Sequence, residues 1–128
     1  KYLPGQTLDP NSRGGRADKR MTETELREES FVIAQTLMKY CHEKSNLEAD
    51  SKVSLAQFAT AWVLANPAIS AVIAGPRTLQ QWQDYLPALD YVVTAEDEKL
   101  VDSLVHPGHP STPGYTDPAY PLNGRNVS

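Results

Sequence analysis

Between residues 26 and 41 the apolar side chains Leu26, Ile33, Leu37, Tyr40 and Cys41 recur at helical spacing and share one face. Thr22 with Glu25 three positions later is a capping-box pair, so the pattern predicts a helix opening at Thr22 and closing in the polar stretch 44–52. Ser54 with Gln57 repeats the signature ahead of "LAQFATAWVLAN", whose near-continuous apolar character predicts a helix buried on most sides. Asn66-Pro67 stops it. "ISAVIA", residues 69–74, is short, β-branched and without alternation, which predicts a strand buried on both faces as in a parallel sheet.

Thr78 with Gln81 is a third capping pair and opens a helix carrying Leu79, Trp82, Leu86 and Leu89, which Pro87 ends or kinks near Leu86. Thr94 with Asp97 opens the last helix, with Leu100, Leu104 and Val105 inward. The ends lack any period. Residues 1–21 hold Pro4-Gly5, Asp9-Pro10-Asn11 and Gly14-Gly15 and read as a loop. From His106 the chain is Pro/Gly-rich and reads as an irregular surface tail. Four helices and one strand leave a difficulty, because the backbone groups on both edges of a parallel strand need partners. The strand's neighbours are therefore expected from chain beyond this one.

Charge refines this picture. The chain has 128 residues and a formal charge of -4, from 12 basic and 16 acidic side chains. That balance argues against general nucleic-acid binding. The opening twenty residues run the other way: Lys1, Arg13, Arg16, Lys19 and Arg20 face only Asp9 and Asp18, a basic arm on an acidic body. A single cysteine, Cys41, excludes an internal disulfide and suits the cytoplasm. No apolar run approaches a membrane span. A chain opening on Lys1 rather than Met reads as processed or as part of a longer protein.

The candidate chemistry concentrates at "VIAGPRTLQQWQDY", residues 72–85. Gly75 lets the backbone approach a ligand, the helix start offers free N–H groups, and Arg77 adds a planar fork suited to phosphate. An ordinary turn with a surface arginine fits the same residues. His106 and His109 lack a carboxylate or thiol partner and make a poor metal site. Glu28-Glu29 and Glu96-Asp97-Glu98 are expected to serve helix dipoles and solubility, and Trp62 and Trp82 to anchor the core.

The stretch 53–104 resembles the C-terminal part of the aldo-keto reductases, which carry a helix of the type "paQlALAWvLa" and a strand of the type "vtsvIpGar". A helix "t-x-x-Q-l-x-x-N-l-x-A-L" and then "lt-x-e-x-x-x-L-d-x-L" come next in that family. "KYLPG" resembles the segment after their seventh barrel strand, and "GYTDPAYP" resembles C-termini in the branch that includes the potassium-channel β subunits. The resemblance implies an α/β fold, the C-terminal part of a (β/α)8 TIM barrel, and a nicotinamide cofactor, NADPH/NADP. It makes 69–74 the eighth strand and sets Gly75, Pro76 and Arg77 over the adenosine end, with Arg77 at the 2′-phosphate. Gln81 and Asp84 match positions that reach the adenosine. Tyr85 stands where the family usually has an asparagine. Lys1 matches the lysine of "GKY", and Arg13 a Ser-Arg of the clamp loop.

The family's catalytic Asp, Tyr, Lys and His lie on earlier strands, and none of those positions falls within 1–128. Tyr40 and Tyr91 do not stand in that context.

The resulting reading is a C-terminal reductase segment. Residues 1–21 form a cofactor-clamp loop that is mobile until cofactor binds, 22–105 the helices and last strand, and 106–128 the tail. The rest of the barrel and a small-molecule carbonyl substrate are the expected partners, with neither nucleic acid nor membrane. The alternative is a small helix-turn-helix-like binding module without enzymatic activity, using "SLAQFATAWVLANPAIS".

Overall fold

The computed structural model describes residues 2, 5–16, 21, 25–47 and 52–107. Lys1, Thr22 and the tail beyond Pro107 lie outside them. Helix α1 spans Glu28–Leu47, α2 Leu55–Leu64, α3 Leu79–Tyr85 and α4 Ala95–Leu104, with a short 3-10 helix at Leu86–Leu89 continuing α3.

Helix α1 starts later than the Thr22 capping pair predicts. The turn before it is wider than an α-turn, because the Leu26 N–H donates to the Met21 carbonyl five residues back, at 2.8 Å. Met21 is buried, and Glu28 and Glu29 occupy the first helical turn, where they favour the helix dipole. The other three starts fall where the sequence puts them. Ser54 caps α2 and Thr94 caps α4 in complete capping boxes, while Thr78 caps α3 by accepting from the Gln81 N–H. The third box is skewed by one residue, since Gln81 Oε1 accepts from the Arg77 N–H at 2.7 Å and not from that of Thr78. Pro87 acts as expected: it sits at the start of the 3-10 helix, where its missing N–H costs nothing.

Helix α2 is the hub, packing on α1, on α3 and on the 3-10 helix. Its buried residues are Phe58 and Ala61. Ala61, Ala88 and Val93 form a small core cluster, flanked by Trp62, Ala65 and Tyr91. Burial on most sides was the expectation for α2, yet Ala56 and Ala59 are exposed.

The strand at 69–74 is not formed. Residues 69–76 belong to no sheet ladder, and all regular structure among the described residues is helical. Exposure alternates along this run: Val72, Ala74 and Pro76 are half-buried, while Ala71 and Gly75 are exposed and Ile73 is 100% exposed. One side leans on the helices and the other is bare. A parallel strand exists only with neighbours on its edges, and the described chain supplies none. The barrel expected from the sequence is therefore not visible within these residues. For the same reason Trp82, expected in the core, stays about half exposed, and Leu79, Leu86, Leu89 and Val92 are exposed beside it.

Candidate functional site

The predicted site residues fall on two surfaces. Gly75 lies on open backbone, and a Cβ added there would meet nothing within 4 Å. No described neighbour therefore requires glycine at that position. Pro76 is half-buried and Arg77 exposed. The Arg77 side chain makes no hydrogen bond or ion pair among the described residues, while its N–H is held by Gln81. Gln81 and Asp84 are exposed on α3, Asp84 Oδ1 accepts from Gln80 Nε2 at 2.9 Å, and Tyr85 is half-buried. The junction thus gathers Gly75, Pro76, Arg77, Gln81, Asp84 and Tyr85 in one local element and leaves the guanidinium available.

The arm is the second surface, and it is not the unpatterned run that its sequence suggests. Asp9 Oδ1 accepts from the Asn11 N–H at 2.8 Å, and the Asp9 carbonyl accepts from the Ser12 N–H at 2.8 Å. Buried Ser12 accepts from the Gly15 N–H through its hydroxyl at 3.0 Å. Arg16 donates to the Asn11 carbonyl at 3.1 Å, and the Gly14 N–H donates to the Tyr2 hydroxyl at 3.2 Å. Gly15 is fixed by close approach, because an added Cβ would overlap the Asp9 carbonyl. Arg13 projects from these turns, exposed, and no bond joins it to the 75–85 segment. Lys1 lies outside the described residues.

A third cluster was not legible in the sequence. Asp97, expected to serve the helix dipole and solubility, is 0% exposed. Its carboxylate accepts from Lys44 Nζ at 2.8 and 3.1 Å, from the Tyr40 hydroxyl at 2.7 Å, from the Tyr91 hydroxyl at 3.0 Å and from the Thr94 N–H at 2.9 Å. Lys44 Nζ also donates to the Tyr91 hydroxyl at 2.8 Å and lies 5.0 Å from that ring's centroid. Phe58 stands edge-on to both tyrosines, at 6.1 Å from Tyr40 and 5.8 Å from Tyr91.

Burial alone would raise the Asp97 carboxyl, but the bonds from Lys44, Thr94, Tyr40 and Tyr91 outweigh it and hold the group below its ordinary range. Tyr40 is pushed well up, first by burial and then by the bond it donates to Asp97, so it stays a protonated donor. A tyrosine, a lysine and an aspartate in contact suggest proton transfer, yet Asp97 is wholly enclosed and its donors are already engaged. The cluster joins helices and offers no reacting group to a substrate. Tyr40 and Lys44 stand one helical turn apart, and Thr94-x-x-Asp97 is a visible capping box. Nothing in the sequence links position 44 to position 97.

Among the described residues, no His/Cys/Asp/Glu group could hold a metal ion, and no helix is long and apolar enough to cross a membrane. Comparison with known proteins identifies the chain: the model of the Aldo/keto reductase family matches residues 2–106. The chain belongs to the aldo/keto reductase family. It is 31% identical over 118 residues to the uncharacterized oxidoreductase YrpG of Bacillus subtilis (strain 168), an alignment that covers 92% of this chain. The chain spans 32% of that relative's length. No solved structure matches it significantly. The family match takes in both the junction and the arm, so the aldo/keto reductase likeness covers every candidate site residue except Lys1.

Proposed function

We propose that the protein is an NADPH-dependent oxidoreductase reducing aldehydes or ketones to alcohols, with this chain supplying the adenosine-phosphate side of the cofactor site. The observation that carries the reading is Arg77: an exposed guanidinium without a partner among the described residues, beside a glycine with open space above it, inside the family-matched stretch. Gln81 holds the Arg77 backbone through its Oε1, which leaves its amide N–H groups to donate toward a ribose. Asp84, Tyr85, Arg13 and Lys1 complete the set by resemblance. These residues fit an anionic dinucleotide. The nicotinamide supplies the hydride when bound, and the residues acting at the carbonyl belong to chain upstream of this segment. That chain also supplies the strands that pair with 69–74 and cover Ile73, Leu79 and Trp82. The likeness of the tail to the potassium-channel β branch suggests that subgroup.

Equilibrium titration of the assembled protein with NADPH and NADH tests this reading. Arg77→Ala should weaken NADPH by about tenfold or more and leave NADH nearly unchanged, since a charge-assisted bond to the 2′-phosphate is made with NADPH alone. Equal losses with both cofactors place Arg77 elsewhere. The helical-module alternative predicts no dinucleotide binding and no carbonyl-dependent oxidation of NADPH; the family match favours the reductase.

A further inference from the structure

Helix α3, which carries Gln81 and Asp84 and directly follows Arg77 and its cap Thr78, has no buried side chain of its own. It rests on α2 directly and, at its far end, through the 3-10 helix. Ala88, on the 3-10 helix that continues it, packs against Ala61 and Val93. That contact, flanked by Trp62, Ala65 and Tyr91, is apolar. Three residues after Ala88 comes Tyr91, whose hydroxyl accepts from Lys44 Nζ at 2.8 Å and donates to Asp97 Oδ2 at 3.0 Å. These bonds have direction and a single satisfied arrangement, which apolar contact lacks. Lys44 belongs to α1, the helix that comes after the arm bearing Arg13. Helix α1 and the segment that follows the 3-10 helix are thus joined through one enclosed carboxylate.

We infer that Tyr91, Asp97 and Lys44 are positioning residues for the adenosine-phosphate site: through the end of the 3-10 helix they set where the Arg77 helix stands relative to α1. This rests on the cofactor reading above. It assigns the cluster a role at a site it does not touch, and it gives Lys44 a reason to be tied to a buried carboxylate when water was within its reach.

The test uses the assembled protein and reads two quantities, the ratio of NADPH to NADH dissociation constants and the thermal midpoint without cofactor. Tyr91→Phe removes the hydroxyl and keeps the ring against Phe58, while Lys44→Met removes the charge at similar length. Each should reduce the preference for NADPH by about fivefold or more, in the range typical of coupling between sites. Lys44→Arg, which again donates to both carboxylate oxygens, should restore most of it. In an Arg77→Ala background neither variant should change the ratio further. A lower thermal midpoint with an unchanged ratio in Tyr91→Phe and Lys44→Met overturns the inference and leaves the cofactor reading standing. An unchanged ratio in Arg77→Ala itself overturns both.

Discussion

Lys44 Nζ bridges both carboxylate oxygens of Asp97, at 2.8 and 3.1 Å, across 53 residues of sequence. The pair is asymmetric: the Asp97 side chain is 0% exposed and that of Lys44 21%. Desolvation therefore falls mainly on the carboxylate, and the hydroxyls of Tyr40 and Tyr91 with the Thr94 N–H compensate for it. The surface pairs Arg27–Glu29 and Lys39–Glu43 have no such enclosure and add little.

Acid should loosen this joint. Folding holds the Asp97 carboxyl below its ordinary value of 3.8, so the folded state binds fewer protons there than the unfolded state. The contribution is complete above that value and drains as pH falls through the lower, folded one. Denaturation midpoints measured from pH 7 down to pH 2 should fall at the acid end, and Asp97→Asn should flatten part of that fall. Asp97→Ala should cost about 3 kcal/mol at neutral pH, the low end for a broken buried pair because Lys44 keeps access to water.

Phe58 is 1% exposed and lies between the two tyrosines that bond Asp97. Phe58→Ala should destabilise the protein by about 3–5 kcal/mol, and Phe58→Leu by less. Near-ultraviolet circular dichroism should report the change, since Tyr40 and Tyr91 both lose their edge-on partner.

The helix caps should differ in weight. Ser54→Ala removes a capping box at the surface and should cost about 1 kcal/mol. Thr94→Ala removes the hydroxyl that accepts from the Asp97 N–H at 3.2 Å and also disturbs the buried carboxylate, so its cost should be the larger. Urea denaturation of the two variants side by side decides the order.

Two glycines make opposite predictions. Gly15→Ala drives a methyl into the Asp9 carbonyl and should remodel the arm, seen as faster protease cleavage near Gly14-Gly15 without cofactor. In the unsubstituted protein that cleavage should be slow, because the turns from Asp9 to Arg16 are internally bonded. Gly75→Ala meets open space, so the unfolding free energy should stay within about 0.5 kcal/mol of the parent. If a dinucleotide lies over that backbone, its affinity should fall.

Cys41 should resist thiol reagents in the native state. It is 2% exposed, and burial pushes its thiol above the ordinary value. Labelling at neutral pH should go to completion only after denaturant is added, and rapid native labelling would show α1 to be detached from α2.

The sequence by itself determined the local events. The capping pairs at Ser54, Thr78 and Thr94, the stop at Asn66-Pro67 and the break at Pro87 all depend on hydrogen bonds and sterics within a few residues. It also determined the family likeness, because the motifs at 53–104 are local strings. Tertiary structure decided whatever needed a distant partner. The run 69–74 has the composition of a buried strand and no ladder, since strand identity depends on neighbouring chain and not on the run itself. Trp82 has the spacing of a core anchor and half its surface exposed, because a helix face is buried only when something covers it. Asp97 was legible as a capping residue and became the centre of a four-donor network only when α1 brought Lys44 and Tyr40 against α4. That contact is a property of the packed helices, and no spacing rule along the chain encodes it.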